Sequence, residues 1–313
     1  MKGLLYGCML LAFGTGTAQG QSLDQRVIAA WGGASTGPGV VLEHTVGEPM
    51  VGTLEGGGVR LTQGFHQADP VRLRLNLRAF LQGPYNSGTG RMSDSLRTRG
   101  LVPLTEPYSA IGLAGGGEQT SLSVLAVSGA DAVVDWVHVE LRDAGTSGAV
   151  VAARNGLLKA DGDVVATDGT SPLAFTAPPG SYRVRVLHRN HLAVQTLQAV
   201  SLSSTPLALD LANGTVPLHG TEAQATVGAV QALWQGDVNG DGLVKYTGGT
   251  NDRDPILQAI GGVVPTSTTT GYANTDVNLD GTTKYTGAAN DRDPVLQTIG
   301  GVIPTNTRSA QLP

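Results

Sequence analysis

Gly236–Gly262 reads GDVNGDGLVKYTGGTNDRDPILQAIGG, and Asp276–Gly301 repeats it as DVNLDGTTKYTGAANDRDPVLQTIGG. Asp237 and Asp276 stand 39 residues apart, and at that offset KYTG, NDRDP and the exit GGV(V/I)PT all recur in register. The chain therefore closes on an internal repeat. Each copy opens with Asp-x-Asn-x-Asp-Gly, the first half of a calcium loop. Positions one, three and five turn their oxygens towards one centre, and glycine at six permits the turn that brings round a carbonyl at seven. In copy one the donors are Asp237, Asn239, Asp241 and the carbonyl of Leu243, with Gly242 at the turn. In copy two they are Asp276, Asn278, Asp280 and the carbonyl of Thr282, with Gly281 at the turn.

A twelve-residue EF-hand loop closes on a bidentate acid, but Gly248 and Gly287 occupy that position here. An insertion of about four residues relative to that loop moves closure to Asp252 or Asp254, and to Asp291 or Asp293. Apolar spacing favours the earlier acid, because Ile256 and Ile260 then fall four and eight residues beyond it, on the buried stripe of an exit helix. Asp254 precedes Pro255 and suits a helix cap. Both roles hold together if Asp252 and Asp291 take the ion and Asp254 caps. Gly261-Gly262 then ends a short helix.

On these residues the tail resembles the dockerin family, whose duplicated calcium loop-helix units begin Asp-x-Asn-x-Asp-Gly and end in an aspartate. The resemblance covers the last quarter of the chain. It departs in the loop insertion, in the 39-residue spacing, and in Tyr246-Thr247 and Tyr285-Thr286, which stand where dockerins carry their partner-recognition pair. What it implies is bound Ca2+ rather than cohesin recognition.

The chain has 313 residues, enough for two or three domains. Glycine is abundant at 45 residues and aromatics make up only 4%, while hydrophobic residues, mostly Val, Leu and Ala, reach 40%. That balance describes β-domains with many tight turns and argues against disorder. A net charge of −5 without runs of like charge points to neither nucleic acid nor an anionic membrane as partner. Residues 1–20 combine Lys2, an apolar run from Leu4 to Phe13 and small residues ending Ala18-Gln19-Gly20. This is the pattern of a secretory signal cleaved before Gln21, too short to span a bilayer, and it predicts a secreted or cell-surface protein. Cys8, the one cysteine, would leave with it. Without disulfides, calcium loops are the obvious cross-links of an exported chain.

Residues 21–70 alternate short β-like runs with glycine turns, at Arg26–Trp31, Val40–Val46, Met50–Leu54 and Val59–Thr62, and predict a small antiparallel unit. VGEPMVGTL and LTQGFHQ resemble an N-terminal segment of secreted Bacteroidota-type proteins. Glu43, His44 and Glu48 are scattered by strand alternation and read as surface residues. Residues 71–112 begin with a strand, Val71, Leu73 and Leu75 alternating with Arg72, Arg74 and Asn76, and continue as a turn-rich connector that wraps the surface. FLQGPYNSGTGRMSDSLRTRGLVPLTEPY resembles a module of adhesin-like surface proteins from the same bacteria. In residues 113–232, VVDWVHVELRD places Val133, Asp135, Val137, Val139 and Leu141 on one face and Trp136, His138, Glu140 and Arg142 on the other. SYRVRVLHRN sets Tyr182, Val184 and Val186 against Arg183 and Arg185. With turns at AGTSG, ADGD, TDGTS and APPGS, this predicts a β-sandwich. APPGSYRVRV resembles the hairpin entry of prealbumin-like domains, so the expected fold is mainly β: a prealbumin-like or Ig-like sandwich, followed over 233–313 by the dockerin-like repeats.

His188 and His191 invite a metal reading, but an odd spacing along a strand sends the rings to opposite faces, which predicts hydrogen-bonded or surface histidines. No nucleophile elbow, Walker A, HExxH or phosphate-cradling glycine loop occurs, and Asp161 and Asp163 sit in a turn. The reading leans towards a non-catalytic exported calcium-binding protein whose tail serves adhesion, attachment or assembly, with a protein receptor or cell-surface glycan as partner. The alternative is a polysaccharide-degrading enzyme or accessory subunit with a docking tail. A tail of about 80 residues with so small a core is expected to need its ions to fold, and to lose them without disturbing the sandwich.

Overall fold

The computed structural model describes strands within residues 31–63, and residues 72–145 and 148–313. The signal-peptide reading of 1–20, Cys8, Glu48 and the side chains of Glu43 and His44 lie outside the described residues. Contacts divide the chain into two compact units, Met1–Asp69 and Pro70–Pro313. In the first, β1 (Trp31–Gly37) pairs antiparallel with β2 (Val40–Val46), and β3 (Gly52–Gly56) with β4 (Val59–Gln63). β2, β3 and β4 fall on the runs expected at Val40–Val46, Met50–Leu54 and Val59–Thr62, while residues 26–30 of the first expected run lie outside the described residues.

The second unit is mainly β. Its first strand, β5 (Arg72–Arg78), buries Leu73, Leu75 and Leu77 and exposes Arg72, Arg74 and Asn76, as period-two alternation requires. A hairpin follows, β6 (Tyr85–Asn86) with β7 (Arg91–Met92), and then two single-turn helices, α1 (Ser95–Thr98) and α2 (Leu122–Leu125). The strands β8 (Val133–Asp143), β9 (Val150–Lys159), β10 (Asp163–Val165), β11 (Leu173–Thr176), β12 (Gly180–His188), β13 (His191–Gln195), β14 (Val200–Leu202) and β15 (Leu207–Asp210) join β5 in a nine-stranded sheet. Its order is β11-β5-β10-β9-β8-β12-β13, with β14 also on β12, and every pairing is antiparallel except β15 on β5. Residues 203–206 alone carry the chain from β14, beside β12, to β15, beside β5, and the Arg74 amide donates to the Ser203 carbonyl (3.0 Å). That short link sets β14 near β5, and Val137, Val139, Leu141, Val184 and Val186 join the β5 leucines in one core.

Both faces of β8 are covered: Trp136, His138 and Glu140, opposite Val137 and Val139, are buried with the rest of Val133 through Leu141. The cover is the segment after β7. Trp136 Nε1 donates to the Pro103 carbonyl (2.8 Å), Tyr108 Oη donates to the Trp136 carbonyl (2.8 Å), and Asn155 Nδ2 donates to the Glu118 carboxylate (3.0 Å). Leu96, Val102 and Tyr108 are buried under this cover, so the turn-rich connector closes a second layer of core.

After a hairpin of β16 (Gln224–Val227) and β17 (Val230–Leu233), the tail runs β18 (Leu243–Lys245), α3 (Arg253–Ala259), β19 (Thr268–Thr270), β20 (Thr282–Lys284), α4 (Arg292–Thr298) and β21 (Thr307–Ser309). β18 pairs with β21 and β19 with β20, so each copy pairs its loop strand with an exit strand. Val238, Val244, Ile256, Val277, Val295 and Ile299 form the tail's core, and Leu192 of β13 completes it. Leu279 of the tail belongs instead to the core of the sheet. A division near residue 233 thus marks a change of local structure inside one packed unit. No helix among the described residues is long and apolar enough to cross a membrane.

Candidate functional site

The two acidic loops fold alike. In copy one the Asp237 carboxylate accepts the Gly242 amide (3.1 Å), Asn239 Oδ1 accepts the Asp241 amide (2.9 Å) and Asp241 Oδ1 accepts the Leu243 amide (2.9 Å). In copy two Asp276 accepts from Gly281 (2.8 Å) and Asp280 (3.1 Å), Asn278 Oδ1 from Asp280 (2.8 Å) and Asp280 Oδ1 from Thr282 (2.8 Å). The tight winding needs left-handed backbone at position six, where Gly242 has φ 78° and Gly281 φ 84°. Position four is left-handed too. Copy one places Gly240 there at no cost, whereas copy two places Leu279 at φ 58°, a strain offset by complete burial of its side chain in the sheet core.

Asp252 and Asp291 fold back over the loop mouths. Both are fully buried. Asp252 Oδ1 accepts the amides of Val238 (2.8 Å) and Asn239 (3.2 Å), and its Oδ2 that of Lys245 (2.8 Å). Asp291 accepts those of Val277 (2.7 Å), Asn278 (3.3 Å) and Lys284 (2.7 Å). Asp254 and Asp293 turn instead to Arg253 and Arg292 (2.8 Å each). The capping role expected of Asp254 passes to Asn251, three residues upstream. Asp254 is the second residue of α3 and its own amide needs an acceptor, which Asn251 Oδ1 supplies at 2.8 Å, as Asn290 does for Asp293. The inserted residues tuck against the loop, with Asn239 Nδ2 donating to the Thr250 carbonyl (2.9 Å) and Lys245 Nζ to that of Gly249 (2.7 Å).

This packing concentrates negative charge. Burial pushes Asp237 up to about 7, with the charge of Asp252 adding to it, and pushes Asp252 up to about 6 against the pull of three backbone amides. Burial raises Asp276 to about 6 in spite of nearby Arg189, and Asp291 to about 7. Asp237 is only 6% exposed, and its Oδ1 has no hydrogen-bond partner. Among the described residues no three His, Cys, Asp or Glu side chains form a ready-made metal cage. The donors gathered here are carboxylate, amide and carbonyl oxygens, a set suited to a hard cation such as Ca2+, and an orphaned buried carboxylate oxygen is a group that a cation would satisfy.

A second polar cluster lies where the sheet meets the tail. Its histidines were expected on opposite faces of a strand. The chain instead reverses between them, so that His188 of β12 pairs with His191 of β13 and the rings meet edge to face at 4.8 Å. Alternation applies within a strand, and a two-residue turn cancels it. The Gly83 amide donates to His191 Nε2 (3.2 Å), His191 Nδ1 donates to Asn190 Oδ1 (2.8 Å), and His188 Nε2 donates to Asp135 (3.1 Å). Burial lowers both histidines, against the pull of Asp135. Asp135 also accepts from Arg189 Nε (2.9 Å), Tyr272 Oη (2.6 Å) and the Trp136 amide (2.7 Å).

No family model, curated protein or solved structure matches this chain. Its own geometry carries the argument. Sequence reasoning missed Asp135, Arg189, Asn190 and Tyr272, since each is a single polar residue whose partner is distant in sequence. Gly83 is part of the same junction: a Cβ there would stand 2.3 Å from the Val277 carbonyl oxygen and 3.3 Å from His191 Nε2. Gly83→Ala must move the tail's backbone and is expected to cost about 1–3 kcal/mol, as overpacking does. Denaturant unfolding checks this, and a loss below about 0.5 kcal/mol, the usual effect of a surface change, would show that the junction yields.

Proposed function

We propose that this chain is an exported, non-catalytic β-rich protein whose tail holds two Ca2+ ions, one per repeat. In this reading the curled sheet is a prealbumin-like sandwich, the repeats are dockerin-like, and the protein serves adhesion, attachment or assembly at a cell surface. The supporting observation is the matched pair of loops, in which buried aspartates crowd together and Asp237 keeps an unpartnered oxygen. Asp237, Asn239, Asp241, the Leu243 carbonyl and Asp252 would hold one ion. Asp276, Asn278, Asp280, the Thr282 carbonyl and Asp291 would hold the other. Bound Ca2+ supplies charge neutralisation and cross-linking, the role a disulfide plays in other exported chains.

Calorimetric titration of the full chain should find two calcium ions. Uptake near zero, or a preference for zinc, would reject the reading. Asp252→Asn is expected to weaken site one by on the order of tenfold or more, the scale of losing a metal-site partner. Asp254→Asn should change it by less than about threefold, because that carboxylate is engaged by Arg253 and Asn251 away from the loop. The reverse ranking would shift the loop closure by two residues. A glycan array and a protein pull-down, run with calcium and with chelator, test attachment: retention that ignores the chelator would separate the partner surface from the loops.

A further inference from the structure

Asn190 lies at the tip of the β12–β13 hairpin and is completely buried. Its carbonyl accepts the amides of Gly236 (3.0 Å) and Asp237 (3.1 Å), which fixes the main chain at position one of the first loop. Its Nδ2 donates to the carbonyls of Asp276 (2.7 Å) and Asn274 (3.0 Å), which fixes position one of the second. Its Oδ1 accepts from His191. Two loops 39 residues apart in sequence are thus anchored at the same position by one residue of the sheet.

We propose that Asn190 is the positioning residue that couples the two cation loops, so that filling one strengthens the other. The proposal rests on the calcium reading above. A cation that orders position one of either loop also orders Asn190, and the second ion then meets a partner whose freedom is already lost. The group must give two protons to carbonyls while taking one from an imidazole, which an amide does and a carboxylate, with no proton to give, does not. The second loop has further ties, to the sheet through Leu279 in its core and the Arg189 guanidinium on the Ala273 carbonyl, and to the connector through the Arg99 guanidinium on Thr282 Oγ1 (2.8 Å). Asn190 ties the main chain of the first loop to the same hairpin, beside the packing of Leu192 on Val238 and Val244.

The test uses the full chain and calcium alone. Asp241→Asn, at an exposed position of loop one, impairs that loop with little risk to folding. The calcium constant of loop two should then weaken by roughly fivefold or more, within the usual range of coupling between sites, and Asp280→Asn should weaken loop one by the same factor, since coupling is reciprocal. In an Asn190→Ala background either change should move the other loop by less than about twofold. A purely structural role for Asn190 would lower both constants and leave their coupling intact. Should Asn190→Ala fail to fold, Asn190→Asp, which keeps the shape but gives no hydrogen bond to the Asn274 and Asp276 carbonyls, takes its place in the same cycle. Two ions taken up with independent constants overturn the coupling while sparing the calcium reading, and no uptake overturns both.

Discussion

Asp135→Ala is expected to destabilise the Pro70–Pro313 unit by about 3–5 kcal/mol, the cost of removing one partner from a buried ion pair. Asp135 and Arg189 are both buried, at 0% and 6% exposure, and the carboxylate receives protons from Arg189, His188, Tyr272 and the Trp136 amide. Deleting it strands the guanidinium, which already has one unpartnered nitrogen, Nη2, and lies over the Tyr272 ring at 4.3 Å. Asp135→Asn keeps acceptors for Tyr272 and Trp136 but not the charge, so it should recover only part of the loss. Arg189 and the hydrogen bonds hold the Asp135 carboxyl well below the usual range despite burial. A depressed carboxyl contributes stability that is present above its unfolded value near 3.9 and is lost as pH falls below that. Urea unfolding at pH 7 and pH 3 measures both effects. A loss under about 1 kcal/mol, or an undiminished gap between wild type and variant at pH 3, would mean that the pair contributes little.

The loops were legible because a calcium loop is written locally, in consecutive residues, and because its duplication places Asp252 and Asp291 in register. The alternation of β5 and β12 was legible for the same reason. What covers a strand is not local, so Trp136, His138 and Glu140 gave no sign that a glycine- and proline-rich segment would bury them. Nor did the spacing of His188 and His191 reveal a turn. One signal for the docked tail was in the sequence and was missed. The repeats differ at loop position four, Gly240 against Leu279, and a leucine where the backbone is left-handed marks a side chain with somewhere to go.

Chelating calcium is expected to lower the melting temperature of the whole Pro70–Pro313 unit in one transition, rather than to melt the tail alone. Leu192 sits in the tail's core, Leu279 in that of the sheet, and Asn190 and Arg189 tie the two. Two sites at a hundred times their dissociation constants contribute about 5 kcal/mol, or about 10–20 °C for a unit of this size. The gap should widen as pH rises from 5 to 8. Asp237, Asp252, Asp276 and Asp291 are raised to about 6 or 7, so in chelator their contribution is full below the unfolded value near 3.9 and is lost as pH climbs through 6 and 7. His188 and His191, both lowered, act in the opposite sense, contributing above about 6.5 and failing as pH falls. Neither histidine is a proposed ligand, so that contribution is common to both conditions and cancels in the difference between calcium and chelator. Protons compete with the cation for the same carboxylates, and the difference should level off only once all four have ionised. Calorimetric scans at pH 5, 6, 7 and 8 with and without chelator give the curve. A difference already flat from pH 5 would mean that the aspartates ionise freely without a cation, and a transition left in place by chelator would mean that the sheet stands apart from the loops.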